Sequence, residues 1–74
     1  MRGKYERLRD QILTETEWCI TSINENHEEF EMPLDITLTS FIGNSKYYNL
    51  TDHERGLLFS YLSIKSVIET IEAV

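Results

Sequence analysis

Between Asp10 and Ser45 the chain contains no lysine and no arginine, and elsewhere it is short of the residues that staple, break or anchor small proteins. One cysteine, Cys19, excludes an internal disulfide and fits a reducing compartment. No apolar run approaches the roughly 18 residues of a membrane helix, and no apolar segment follows the basic residues of MRGKYERLRDQ as a secretory signal would require. The expectation is a cytoplasmic chain with no membrane partner. Gly3, Gly43 and Gly56 are isolated, so no glycine-rich phosphate loop is present. A single proline leaves long helices unbroken.

What remains is apolar enough to fold. Of the 74 residues, 41% are hydrophobic, too many for a disordered tail. A chain this short buries only about 60% of the surface of its unfolded form, so metal binding or self-association is the expected source of extra stability.

Three segments carry periodicity. From roughly Lys4 to Glu28, Tyr5, Leu8, Ile12, Thr16, Cys19 and Ile23 recur at three- and four-residue steps and predict a long helix, with Leu13 and Ile20 widening the stripe. Trp18 lies off that stripe, either at the shoulder of the core or open to a partner. The last segment opens at Leu50-Thr51-Asp52-His53-Glu54 with a capping box between Thr51 and Glu54. Leu57, Tyr61, Ile64, Val67, Ile68, Ile71 and Val74 then share one broad face, while Leu58, Phe59 and Leu62 point to the other side in the N-terminal half only, so that half is expected to be covered from two directions.

Residues 30–48 admit two readings. Phe30, Met32, Leu34, Ile36 and Leu38 alternate with polar residues as a strand does, which would give a hairpin turning at Gly43-Asn44 and an α+β fold. Leu34, Leu38, Phe41 and Ile42 also form a helical face, with Pro33 at a first helical position and Gly43 as a C-terminal cap. The helix is favoured because an isolated two-stranded hairpin is weak. The expected fold is therefore all-α, a single domain of long, short and long helices.

Signals for chemistry are sparse. His27, four residues before Glu31, and His53, between Asp52 and Glu54, lack the second histidine or cysteine pair that a metal site needs, so both read as solvated and no metal or cofactor is expected. Cys19 sits on the apolar stripe and reads as a small hydrophobe without an activating base. Gly56 reads as room for another backbone to approach the last helix. No catalytic residues are assigned.

Charge is the most informative feature. Arg2, Lys4, Arg7 and Arg9 open the chain, and eight carboxylates follow before the next base, Lys46. That order opposes the dipole of the first helix, which prefers anions at its start. The net charge of −6 argues against direct binding to nucleic-acid phosphates. Glu25, Glu28, Glu29, Glu31 and Asp35, with Phe30 and Met32 as apolar anchors, make a candidate patch for a basic protein surface; the competing reading is a solubilising face. Leu58, Phe59 and Leu62 together with Trp18, Phe41, Tyr47 and Tyr48 exceed what a thin helical layer covers, so a two-fold homodimer through the last helix is expected, the alternative being that the short middle segment covers the same surface.

The stretch from Thr37-Leu38 through Lys46-Tyr47 to Leu50-Thr51-Asp52-His53-Glu54 resembles the Hha/YmoA family of small nucleoid-protein partners, where a similar K-Y and L-[ST]-D-x-E run opens a helix. That resemblance implies a non-enzymatic protein that binds a nucleoid-structuring partner. The first helix and the acidic centre do not share it, and the capping box accounts for much of it, so it does not assign the chain to that family. By class analogy alone, a small acidic helical chain fits a phage or mobile-element inhibitor that presents carboxylates to a basic surface of a host protein. The alternative is a structural or regulatory subunit that acts by helix packing.

Overall fold

The computed structural model describes residues 3–73; Arg2 of the basic cluster and Val74 of the broad apolar face lie outside the described residues. Two long helices, α1 (Lys4–Asn26) and α3 (Asp52–Glu72), flank a short one, α2 (Leu38–Gly43), and a 3-10 turn at Ser45–Tyr47. Among the described residues there is no strand, so the fold is all-α and the hairpin over 30–48 is not formed.

The middle segment is governed by local capping rather than by either long-range pattern. The Ile36 amide donates to the Pro33 carbonyl, so Pro33 closes a turn and does not open the helix. Thr37, in extended backbone, accepts from the Ser40 amide at 3.1 Å and starts α2 there, five residues later than the sequence suggested. Gly43 ends α2 without adopting the left-handed conformation of a glycine cap. Asn44 takes over, accepting from the Lys46 amide at 3.1 Å to begin the 3-10 turn.

α1 stops two residues short of Glu28 because His27 is extended and its ring is held by other groups. α3 begins with the predicted capping box, the Glu54 amide donating to the Thr51 hydroxyl at 3.1 Å and the Thr51 amide to the Glu54 carboxylate at 2.9 Å. The other end of the pair is tied by Arg9, which donates to Glu72 at 2.7 Å and to Asp10 at 3.1 Å.

The core lies on the narrower apolar side of α3, not on the broad one. Leu58 and Leu62 are 0% and 1% exposed, together with Ile20 and Ile23 of α1 and Met32, Ile36, Phe41, Tyr47 and Leu50 of the middle segment. Of the broad stripe, only Ile68 is buried; Leu57, Ile64, Val67 and Ile71 are exposed. The reason is the route of the middle segment, which packs over the Leu58 and Leu62 side of α3 and leaves the other side of the helix pair bare. On α1 the same asymmetry buries Thr16, Ile20 and Ile23 while Tyr5 and Leu8 stay exposed. The Thr16 hydroxyl, inside the core, donates back to the Ile12 carbonyl at 2.7 Å. Gly56 is not a site of close approach, since a Cβ there would meet nothing within 4 Å.

Candidate protein-binding surface

The acidic stretch leaves α1 and folds back across its end. Asn24 makes this possible: its carboxamide donates to the Met32 carbonyl at 2.9 Å and accepts from the Met32 amide at 2.7 Å, as a neighbouring strand would. This clamp drives the Met32 side chain into the core, where it is 1% exposed, so Met32 is a structural anchor and not a docking contact. Phe30 is half-buried against the same core, stacked on His27 at a centroid distance of 5.3 Å and edge-on to Tyr47 at 5.0 Å.

His27 is not a solvated histidine. Its side chain is 13% exposed, with Nε2 at 3.0 Å from Glu54 and Nδ1 at 3.1 Å from Glu29. Both neighbours are carboxylates, and the ring can donate to both only as the imidazolium, so this placement favours the cation. Hydrogen bonding to Glu54, then to Glu29, raises the His27 pKa. The Glu54 carboxyl is held below its ordinary range by the Thr51 amide first and by His27 second. Glu29 is lowered by its own backbone amide and then by His27. The ring thus ties the end of α1 to the first turn of α3.

Of the predicted acidic patch, Glu25, Glu28 and Glu31 come together. They rim one open hollow whose wall includes Asn24, Phe30 and Pro33. All three are exposed, and among the described residues none is paired with a cation. Glu29 is withdrawn to His27. Asp35 lies past the Pro33 turn on two other hollows, one shared with Glu31 and Lys46 and one with Lys65, and does not reach Glu25 and Glu28. The predicted oligomer residues also separate. Leu58 and Leu62 are core, because the middle segment covers them, and cannot meet a partner; Trp18, 68% exposed, and Phe59 are open but lie on different sides of the molecule.

Asn24 and His27 were absent from the sequence-based site. For Asn24 the available signal is slight: a carboxamide on the last turn of a helix, eight residues before an apolar residue in an extended run. No group of three or more His, Cys, Asp or Glu side chains among the described residues is arranged to hold a metal ion. The Cys19 thiol is pushed up, by burial first and by the Glu54 charge second. It lines a groove between the long helices with Glu15, Trp18, Leu57 and Tyr61. No described helix is long and apolar enough to cross a membrane. Comparison with protein-family models, with curated proteins and with solved structures finds no match to this chain.

Proposed function

We propose that this chain is a non-catalytic protein-binding module whose acidic end docks on a basic surface of a partner protein. The observation that carries this reading is the rim formed by Glu25, Glu28 and Glu31, three exposed carboxylates that pair with no cation among the described residues, set over a wall fixed by the Asn24 clamp. A rigid cluster of one sign steers encounter and sets orientation, and its field weakens with ionic strength. A raised thiol pKa at Cys19 is opposite to what a nucleophile needs, which favours binding over catalysis. A partner surface that normally holds nucleic acid has the matching chemistry, consistent with an inhibitor of phage or mobile-element origin acting in the cytoplasm; that last step is analogy of class.

The test is binding at low and high salt to the partner captured from a host-like lysate, with Glu25→Gln, Glu28→Gln and Glu31→Gln combined in one variant. The expected result is an association rate lowered about tenfold or more by the variant, and similarly by salt. Equal binding by the variant and the unaltered chain would remove the acidic end from the function. It would favour the second reading, a subunit that acts through helix packing, which the exposed Leu57, Ile64 and Ile71 support.

A further inference from the structure

α1 and α3 have one covered side and one bare side. On α3, Leu57, Tyr61, Ile64, Ile68 and Ile71 follow alternating steps of four and three, the spacing of a helix packed lengthwise against another helix. Only Ile68 of these is buried within the chain. On α1, Leu8, Ile12, Glu15 and Cys19 follow the same steps, and Glu15 and Cys19 face Leu57 and Tyr61 across the groove. The Tyr61 hydroxyl meets Glu15 there at 3.4 Å. Six of the eleven large apolar side chains that are exposed, Leu8, Trp18, Leu57, Ile64, Val67 and Ile71, belong to this side, so the patch is concentrated rather than scattered.

We infer that this bare side of α1 and α3 is the interface of a two-fold homodimer, a four-helix bundle in which α1 runs antiparallel to α1 of the second copy. Two arguments identify the occupant as a second copy. The first is area. A compact monomer of 8.7 kDa exposes about 4700 Å², whereas this chain exposes 5342 Å². The surplus approaches the roughly 800 Å² that each partner loses in a standard interface. A face as long as a 23-residue helix and two helices wide has a footprint of about 700 Å², which agrees.

The second argument is charge, which also sets the orientation. Arg7 and Glu25 are eighteen residues apart, five full turns, so they occupy the same azimuth at opposite ends of α1. A two-fold axis crossing the helices places Arg7 of each copy over Glu25 of the other. The other face-to-face arrangement, with the axis along the helices, would bring both acidic ends to one pole and set like charges together. The crossing axis also answers the order of charges along α1, which is unfavourable to its own dipole. In the antiparallel pair the basic start of each α1 meets the acidic end of its neighbour.

Sedimentation equilibrium of the full chain tests this without reference to any other partner. A dimer is expected at tens of micromolar, with Ile64→Glu raising its dissociation constant about 30-fold or more. Phe59→Glu, exposed on another side of α3, should leave it unchanged. Arg7→Glu alone and Glu25→Arg alone should weaken the dimer, and the double swap should restore it. That restoration is read even if Ile64→Glu fails to fold by circular dichroism. A monomeric unaltered chain, or dissociation by Phe59→Glu with none by Ile64→Glu, would overturn the interface; single swaps without effect would overturn the antiparallel pairing.

Discussion

Both ring nitrogens of His27 face carboxylates, and this gives the fold a defined pH window. The His27 pKa is raised above 6.5, so its contribution to stability is complete below that value and is lost as pH rises through the raised value. The Glu29 and Glu54 pKa values are lowered from 4.5, so their contribution is complete above that value and is lost as pH falls through the lowered ones. The group as a whole is most stabilising between pH 4.5 and 6.5. Urea unfolding at mildly acidic and mildly alkaline pH should show a larger margin over His27→Gln at acidic pH. An equal margin at both would mean that the ring is neutral and its bonds are not charge-assisted. Nothing local revealed this residue. Glu29 is two positions away, but Glu54, the larger influence, is 27 positions distant and already occupied by a capping role that the sequence did show.

At the scale of the helix, what could be read from the sequence depended on how local the signal is. The capping box of α3 involves residues three apart and formed as read. The face of α3 could not be read the same way, because six of the eight residues from Leu57 to Ile64 are apolar and leave no polar side to define an inside. The choice between Leu58 and Leu57 as core residue was made by the middle segment, whose path follows from the Pro33 turn, the Thr37 cap and the Asn24 clamp. Likewise the acidic patch was legible as a composition but not as a geometry: past the Pro33 turn, Asp35 lines hollows with Lys46 and Lys65 and not the one that Glu25, Glu28 and Glu31 share. Gly56 offers a clean test of α3 itself. It is helical, exposed and surrounded by open space, so Gly56→Ala should raise the unfolding free energy by about 1 kcal/mol in a denaturant titration. A loss of stability would mean that some group approaches Gly56 in solution.

The whole molecule is long for its mass, 43 × 22 × 19 Å with a radius of gyration of 13.1 Å; about 11 Å is typical of a compact chain this size. Its core is gathered at the end where the middle segment lies, and the far half of the helix pair has little cover beyond Ile68. A chain built this way gains most from association, so its thermal midpoint should rise with protein concentration, by mass action. A midpoint independent of concentration over two decades would mean that the bare face contributes nothing to stability. In the antiparallel dimer Glu25 is engaged by Arg7 of the other copy, while Glu28 and Glu31 of the two copies stay open at opposite poles, so one dimer would engage two basic surfaces, and a partner with paired sites would bind it with added avidity.

The bridge from Arg9 to Glu72 closes the pair at the pole opposite the acidic hollow and holds those two residues side by side. A force that separates those two residues therefore pulls the helices apart like a zipper, loading one rung at a time instead of shearing all of them together. The bridge parts first, the thin packing around Ile68 next, and the cluster of Met32, Leu58 and Leu62 last. A protein threaded or pulled from that pole would yield to small forces even though its core, gripped from the other end, would resist.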